Sequence, residues 1–455
     1  MKRTLAMPAL LAAAALTLAA CSVGGAATGD TAVSRAPELA PDQKVSLTLE
    51  SYNFGQAGAW SDTFTELLGD FQKQHPNITV TGQKPQGSSP NPATDSVSSV
   101  QAQLATGNPP DVAQLGFSDL EFAVNQLGAK PLDDLVGRDA VQANFGGAHP
   151  FAPKATTLGD LDGKTYGVPF VLSTPVLFIN ATLFKQAGLD PTKPPTTWDE
   201  VKADALAIAQ KTGKDGVYVD CVTQSAKDWC LQSVVRSNGG HVISDDKKTL
   251  TYADAPAVGA ISMLQDLVAS GASPKLTQAQ AVGTFARGDM GMILESSALQ
   301  GTFAKGAKAG WELQGTGMPA FAGKPVVPTN SGAALFVFAK DPAKQRAAWE
   351  LIQFLTSDEA YKTISTKIGY LPLRTGLVDD PNGLQAWAAK NPLVKTNIAQ
   401  LNVMEPWVSF PGTDYLQVRD GMMKAIENVV LQGAPAQATL TTAQQQGTLL
   451  LTAGS

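Results

Sequence analysis

The chain has 455 residues, a hydrophobic fraction of 44% and a charged fraction of 16%. These values are typical of a globular protein that is too long for a single hydrophobic core, so we expect more than one domain. The formal net charge is -6 and no dense cluster of Lys and Arg is present. The composition therefore argues against a nucleic-acid partner.

The N-terminus has the pattern of an export signal. Lys2 and Arg3 precede an apolar run over residues 5–20, which is shorter than the ~20 residues that span a bilayer. Small residues lead directly into Cys21, as in a lipobox. We predict a signal peptide over residues 1–20 and a lipid on Cys21 that holds the mature chain to the outer face of the membrane. An ordinary signal peptide or a short anchor helix is the alternative.

The sequence after Cys21 predicts a tether followed by a folded body in an oxidising compartment. Residues 21–43 are rich in Gly, Ala, Ser, Thr and Pro, a composition that does not form a core. We expect the folded body to begin at Lys44, and no later window is apolar enough to span a membrane. Cys221 and Cys230 are the other two cysteines. Export favours a disulfide between them, with two buried thiols as the alternative.

Strand and helix patterns alternate along the body. In chain order we predict a strand over residues 45–51, a helix over 59–74, a strand over 78–81, a helix over 96–106, strands over 110–115 and 176–180, helices over 197–211, 256–269 and 282–287, strands over 291–294 and 333–338, and helices over 342–355, 415–430 and 436–450. The initial β-α-β-α-β order indicates a parallel, doubly wound sheet.

No catalytic motif accompanies this pattern. The histidines, His75, His149 and His241, are not in metal-ligand spacing, and neither a nucleophile elbow nor a phosphate-binding loop is present. A glycoside hydrolase would need two carboxylates facing each other across a cleft, and nothing in the sequence points to such a pair. We therefore predict no enzymatic activity, no cofactor and no metal. A surface glycan hydrolase and a structural adhesin remain as alternative classes.

Several short motifs, in this order, resemble those of the extracellular solute-binding proteins of ABC importers. They are NPPDV at residues 108–112, YGVPF at 166–170, PVLFIN at 175–180, PPTTW at 194–198, FARGDM at 285–290 and the helix at 347–355 followed by SDE at 357–359. The resemblance covers residues 45–450. It implies an α/β fold of the periplasmic-binding-protein type, in which two doubly wound lobes joined by hinge strands enclose a ligand cleft.

The same resemblance implies lobe boundaries and partners. Lobe 1 would contain residues 44–174 and 315–356, and lobe 2 would contain residues 175–314 and 357–455. The protein would be a monomer that captures a small polar solute and delivers it to a two-subunit permease driven by a cytoplasmic ATPase. It would itself bind no nucleotide.

A narrower likeness is to the glycerol-3-phosphate and glycerophosphodiester-binding subfamily. Its motifs match the sequence around Ser173, Ser296, Gly332 and residues 368–374. The ligand contacts implied by this likeness are Ser173, Trp229, Ser296, Gly332, Tyr370 and Arg419. Hydroxyls would donate to phosphate or sugar oxygens, Arg419 would bind phosphate in a bidentate contact, and the aromatic rings would cover a choline or a sugar.

Tyr52 joins this set because the carboxyl end of the first strand faces the cleft in this architecture. Asn53, Trp60, Trp407 and Phe410 are further cleft candidates at strand or loop ends. Structural roles remain open as alternatives to ligand binding: Trp229 could pack on the disulfide, Ser296 could cap a helix, Tyr370 could stabilise a turn, and Arg419 could form a surface ion pair.

Two positions depart from the subfamily. Gly116-Phe117-Ser118 stands where the subfamily has a carboxylate, so Phe117 takes that place in the predicted contact set. Residues 86–96 contain no aromatic, although the subfamily has a tyrosine there. A carbohydrate therefore remains open as the ligand beside a glycerophosphodiester.

Overall fold

The structure is a computed structural model that describes residues 35–56, 59–89, 91–224, 228–391 and 393–453. The predicted signal peptide and Cys21 lie outside these residues. Across the described part of the chain, no helix combines the length and the apolar character needed to cross a membrane. The end of the predicted tether packs on the body: Ala36 is buried, and its N–H donates to the carbonyl oxygen of Leu135 at 2.8 Å.

The strands form two main sheets and one short hairpin. They are β1 Val45–Glu50, β2 Ile78–Gln83, β3 Val112–Gly116, β4 Asp160–Leu161, β5 Lys164–Thr165, β6 Gly167–Ser173, β7 Pro175–Asn180, β8 Asp215–Val219, β9 Met290–Ser296, β10 Leu313–Thr316 and β11 Ser331–Val337. The five-stranded sheet has the order β2-β1-β3-β11-β6, the four-stranded sheet has the order β10-β7-β9-β8, and β4 pairs with β5.

The parallel arrangement predicted for the first three strands is correct, since β1 pairs in parallel with both β2 and β3. Both sheets are nevertheless mixed. Strand β11 runs antiparallel to β3 and β6, and β7 runs antiparallel to β9 and β10. Strands β7 and β11 are the first strands that the chain forms after it crosses from one sheet to the other. No β-α-β unit of the same sheet leads into them, so they need not be parallel to their neighbours.

Helices cover the faces of both sheets. They are α1 Ala59–Gln74, α2 Pro92–Ala105, α3 Leu120–Asn125, α4 Leu132–Val136, α5 Arg138–Phe145, α6 Pro153–Thr156, α7 Ala181–Ala187, α8 Trp198–Thr212, α9 Trp229–Ser237, α10 Ala255–Ala269, α11 Gln278–Ala286, α12 Gln300–Ala307, α13 Pro342–Leu355, α14 Asp358–Lys367, α15 Gln385–Ala388, α16 Leu393–Val403, α17 Tyr415–Gln432 and α18 Ala436–Ala453. Helix α8 begins with the predicted cap: Thr197 and Glu200 form a capping box.

The chain passes directly from the five-stranded to the four-stranded sheet at Thr174, between β6 and β7, and returns between β10 and β11. Both β6 and β7 are buried along their whole length, which matches their continuous apolar sequences. Helix α14, assigned to lobe 2 by the predicted boundaries, packs against α1 and α13. The lobe boundaries themselves stay a prediction.

The predicted disulfide is confirmed. Cys221 and Cys230 are bonded, with their Cα atoms 5.0 Å apart. The bond joins the end of β8 to the first turn of α9, so it ties an edge strand of the four-stranded sheet to a helix.

Candidate ligand-binding site

A cavity of about 160 Å³ lies between the two sheets. Tyr52 follows β1, Gly116 ends β3, Ser173 ends β6 and Ser296 ends β9, so the cavity is at the carboxyl ends of strands from both sheets. This is where ligands bind in open α/β sheets. The lining consists of Tyr52, Gln56, Trp60, Asn91, Ala93, Gly116, Ser173, Trp229, Gln278, Glu295, Ser296, Ala298, Leu299, Ser331, Gly332, Tyr370 and Trp407.

Most of the predicted contact residues come together in this cavity. Its lining includes six of the eight: Tyr52, Ser173, Trp229, Ser296, Gly332 and Tyr370. Phe117 and Arg419 are buried but do not line it. Of the further cleft candidates, Trp60 and Trp407 line the cavity, whereas Asn53 and Phe410 do not. A binding role for any of these residues stays a prediction.

Two serines connect the sheets at the cavity wall. The Ser296 hydroxyl donates to the Ser173 hydroxyl at 2.8 Å, which links β9 to β6. Ser296 Oγ also accepts from the Ala298 N–H at 3.2 Å and caps the short 3-10 helix Ser297–Leu299. Ser296 therefore caps this helix, as the alternative interpretation predicted, and also lines the cavity.

Gly332 occupies a position that requires glycine. Its φ is +120°, and a Cβ atom there would lie 2.0 Å from the carbonyl oxygen of Val171. The absence of a side chain lets β11 approach β6 closely, and the register between these strands shifts between Ala333 and Ala334. Gly332 also lines the cavity.

Aromatic rings form much of the wall. The Trp60 and Tyr370 rings meet edge to face, with centroids 5.0 Å apart. Tyr52 hydrogen-bonds to Tyr370, and burial raises the pKa of the Tyr52 hydroxyl to about 12. Trp229 and Trp407 complete the set, so that five aromatic residues line the cavity. Tyr52 and Tyr370 are thus neutral hydrogen-bonding groups at physiological pH.

Arg419 lies behind this wall, in a cluster of acidic residues. Its guanidinium donates to Asp420 through Nε at 2.9 Å and Nη2 at 2.8 Å. Burial would lower the pKa of Arg419, but Asp420, Asp228 and Asp119 together raise it. Asp228 in turn accepts from Trp407 Nε1 at 3.0 Å. Arg419 is therefore a buried residue outside the cavity lining, and it forms an ion pair with Asp420, whose side chain is 51% exposed.

The carboxylate missing from the predicted contact set is present a few residues later. Asp119 is 1% exposed, and its Oδ2 accepts from the Gly116 N–H at 3.0 Å. Its Oδ1 accepts from the Tyr415 hydroxyl at 3.1 Å. Because both oxygens have protein donors, Asp119 connects β3 to α17 and does not line the cavity. The second difference from the subfamily is the lack of an aromatic residue in residues 86–96. In this segment Asn91, at the N-terminus of α2, lines the cavity.

Glu295 and Asp220 are site features that the sequence analysis missed. Strand β8, which was not predicted, runs parallel to β9 with Val219 opposite Leu294, so Asp220 and Glu295 lie side by side. Both are buried, and Glu295 lines the cavity. Neighbouring carboxyls on adjacent strands do not flank a substrate from opposite faces, as a glycoside hydrolase requires. Among the described residues, no group of His, Cys, Asp and Glu could hold a metal ion.

Two mixed sheets connected by direct crossings, with a cavity at their carboxyl edges, define a binding protein of the periplasmic type. The chain belongs to the bacterial extracellular solute-binding protein family, whose model matches residues 66–396. It is a solute-binding protein of an ABC importer that works outside the cytoplasm with a permease, and it is not an enzyme.

Individual relatives agree with this assignment. The chain is 27% identical to the sn-glycerol-3-phosphate-binding periplasmic protein UgpB of Escherichia coli (strain K12), over 77% of this chain and 81% of that protein. Its fold is similar to that of UgpB from Mycobacterium tuberculosis in complex with glycerophosphocholine (TM-score 0.76, 21% identity, 90% of this chain and 99% of the other). It is also similar to the cyclic α-maltosyl-1,6-maltose binding protein of Arthrobacter globiformis (TM-score 0.72, 22% identity, 90% and 100%).

Proposed function

We propose that this protein is the lipid-anchored receptor of an ABC importer for a neutral carbohydrate. The observation that carries the proposal is the composition of the cavity wall. Five aromatic residues and several hydroxyl and amide groups line it, and none of its described lining residues is Lys, Arg or His.

The wall suits a sugar because a sugar has two kinds of surface. The C–H faces of a pyranose pack on flat aromatic rings, and its hydroxyls need both donors and acceptors. Trp60, Trp229 and Trp407 supply such rings. Ser173 and Ser296 supply hydroxyls that can donate and accept. An apolar aromatic wall with a few convergent polar groups is the usual make-up of a small-molecule site.

A phosphate would find no cation in this wall. Tight phosphate sites commonly use Arg or Lys in charge-assisted hydrogen bonds. Arg419, the residue predicted for that role, hydrogen-bonds Asp420 and has Asp228 and Asp119 as further acidic neighbours. Turning it toward the cavity would leave those carboxylates without their cation, which is costly for buried groups.

A glycerophosphodiester is the second candidate. The relatives in sequence are glycerol-3-phosphate-binding proteins, and one structural relative was solved with glycerophosphocholine. The aromatic wall together with Glu295 would also suit the quaternary ammonium of a choline group. This ligand class would leave the phosphate to serine hydroxyls and backbone N–H groups.

The proposal also includes a lipid anchor, a hinge motion and a membrane permease as partner. Cys21 would carry the lipid, and the following residues would keep a monomeric receptor near a two-subunit permease with a cytoplasmic ATPase. Ligand contacts from both sheets would favour a closed state by motion about the crossings at Thr174 and between β10 and β11. Replacing Cys21 with Ser should release the protein from the membrane fraction, and retention of the variant in that fraction would contradict the anchor.

The ligand class is tested with the mature chain by thermal shift and titration calorimetry. The panel contains maltose and longer malto-oligosaccharides, glycerol-3-phosphate and glycerophosphocholine. We expect only carbohydrates to raise the melting temperature, because a ligand that binds the folded state alone stabilises it. Trp229→Ala should abolish that increase, whereas Trp387→Ala, which removes an aromatic residue outside the cavity lining, should retain it. A response to glycerophosphocholine alone would select the second candidate, and no response to any ligand would refute the proposal.

A further inference from the structure

Two carboxylic side chains lie next to each other at the cavity, and no cation of the described residues is among the groups that act on them. Asp220 is 0% exposed and Glu295 is 2% exposed, and they are neighbours at the carboxyl ends of the parallel strands β8 and β9. Only Glu295 is among the cavity lining residues. Asp220 is therefore behind Glu295 as seen from a ligand.

Each carboxyl has one oxygen with a donor and one without. Asp220 Oδ2 accepts from Gln278 Nε2 at 2.8 Å, and Glu295 Oε1 accepts from the Ser296 N–H at 2.9 Å. Asp220 Oδ1 and Glu295 Oε2 are buried and have no donor among the described residues, and the two side chains lie within hydrogen-bonding range of each other. Two buried acceptors can satisfy each other only if a proton lies between them.

The surroundings of the pair favour keeping that proton. Burial raises the pKa of Asp220 well above its usual range, and the adjacent Glu295 adds to the effect. Burial also raises the pKa of Glu295, while the hydrogen bond from Asp220 lowers it. The other groups that act on the pair are Gln278 of α11 and the Ser296 N–H, and Tyr218 of β8 is itself affected by both carboxyls and by Glu427 of α17. None of these groups is a cation, and two adjacent ionised carboxylates repel each other.

We propose that Asp220 is a protonated positioning residue that donates to Glu295, and that Glu295 accepts a hydroxyl of the bound ligand. This inference rests on the proposed function, because it concerns how the same cavity selects a polyhydroxylated neutral ligand. Glu295 would supply the one ionised acceptor in an otherwise neutral wall. Hydrogen bonds to an ionised acceptor are stronger than those to a neutral one, and Glu295 would thus discriminate between hydroxyl donors and ligands with acceptors only.

The proton on Asp220 can be tested without any ligand. Infrared difference spectra of the mature chain at neutral pH should show the carbonyl stretch of a protonated carboxylic acid in the wild type that is missing from Asp220→Asn. Glu50→Gln is the control, since Glu50 is another buried carboxyl that does not line the cavity. Its difference spectrum should leave the Asp220 band in place. Identical spectra for the wild type and Asp220→Asn would overturn the shared proton.

The acceptor role is tested by calorimetric titration of the carbohydrate that binds. Glu295→Gln should weaken affinity about tenfold or more, because it replaces a charge-assisted hydrogen bond with a neutral one. Wild-type affinity should also decline at alkaline pH, as Asp220 ionises and repels Glu295. Asp220→Asn should remove that alkaline decline at the cost of a smaller loss of affinity. Glu50→Gln should match the wild type in both affinity and pH profile.

The outcomes separate this inference from the proposed function. Wild-type affinity for Glu295→Gln, or the same alkaline decline in Asp220→Asn, would overturn the inference while carbohydrate binding stands. If the wild type bound no carbohydrate, the proposed function and the acceptor role would both fail, and the infrared band would still decide whether Asp220 is protonated. A loss of binding in all three variants, Glu50→Gln included, would indicate general disruption and would also count against a specific role for Glu295.

Discussion

Two groups of buried carboxyls lie beside the cavity, and they differ in how their charge is accommodated. Asp228 and Asp119 have Arg419 as a cationic neighbour and accept hydrogen bonds from Trp407, Gly116 and Tyr415. Asp220 and Glu295 have no cation among the groups that act on them and face each other instead. The first group has a cation and several hydrogen-bond donors as neighbours, although burial also raises the pKa of Asp228, whereas the second favours a shared proton.

The difference separates a structural role from a binding role. The Arg419 group joins α17 to β3 and to the first turn of α9, and its hydrogen-bonding capacity is largely used within the protein. In the Asp220 group, Glu295 lines the cavity, and its Oε1, which accepts from the Ser296 N–H, has a second lone pair that can accept from a ligand. A buried charge with complete partners contributes to holding elements together, whereas one with spare acceptor capacity is suited to recognise a ligand.

The largest expected effect comes from removing the cation of the first group. Arg419→Met should lower the free energy of unfolding by about 3–5 kcal/mol, because the buried carboxyls of Asp228 and Asp119 would lose their cationic neighbour. Urea denaturation measures this effect. Asp420→Asn is the matched control with an expected loss below about 1 kcal/mol, since the Asp420 side chain is 51% exposed. The double variant Arg419→Met with Asp228→Asn should recover part of the loss, and a loss as small as that of the control would contradict the network.

The disulfide beside both groups should have the next largest effect. Cys221 follows Asp220 and Cys230 follows Trp229, so the bond holds the end of β8 against the start of α9. Replacing both cysteines with Ala should cost about 2–3 kcal/mol, as expected for closing a short loop in the unfolded chain. Reductant should destabilise the wild type by a similar amount and leave the double variant unchanged. An equal response of both proteins to reductant would show that the bond is not the cause.

Glu50, a buried carboxyl on the five-stranded sheet, has hydrogen-bond donors but no shared proton, and replacing it should change the free energy of unfolding less than the two changes above. Glu50 is 1% exposed, accepts from Gln83 and Gln103, and has its pKa raised by burial. Because the folded state holds this proton more tightly than the unfolded chain, the stabilising contribution is full at low pH and is lost as pH rises through the folded pKa. Glu50→Gln should therefore gain stability relative to the wild type between pH 4 and pH 8. A difference between the two proteins that does not change with pH would contradict this account.

Much of the fold was predictable because it depends on local patterns. Helix α1 was predicted over residues 59–74 and spans Ala59–Gln74, since its apolar period is uninterrupted. Helix α2 starts at Pro92, earlier than the predicted Ser96, because Asn91 caps it ahead of a first turn that contains a proline. Strand β8 was missed, since its short sequence follows a helix and a glycine and depends on pairing with β9.

The site was predictable to the extent that motifs define it. The family motifs led to five of the residues that line the cavity, including Gly332 with its positive φ, and the end of the first strand led to Tyr52. Asp220 and Glu295 are 75 positions apart by their residue numbers, and only the register of β8 on β9 brings them together. Arg419 was assigned to a ligand by the subfamily resemblance, and although Asp420 follows it directly in the sequence, the proximity of Asp228 and Asp119 is visible only in the fold. Pairing across strands and between helices is non-local, and no sequence period reports it.

The smallest expected effect on stability comes from the two cavity serines, which belong to neither group of carboxyls. Ser173→Ala with Ser296→Ala removes both partners of the hydrogen bond between β6 and β9, so no buried group of that bond is left without its partner. The free energy of unfolding should fall by about 1 kcal/mol, mainly because the Ala298 N–H loses its cap, but affinity for the carbohydrate should fall about five- to tenfold, because each serine would otherwise bond to a ligand hydroxyl. Ser98→Ala with Ser270→Ala, at two exposed serines, is the control that should change neither quantity. Undiminished affinity would remove both serines from the site and would leave Glu295 and the aromatic wall as the groups that recognise the ligand.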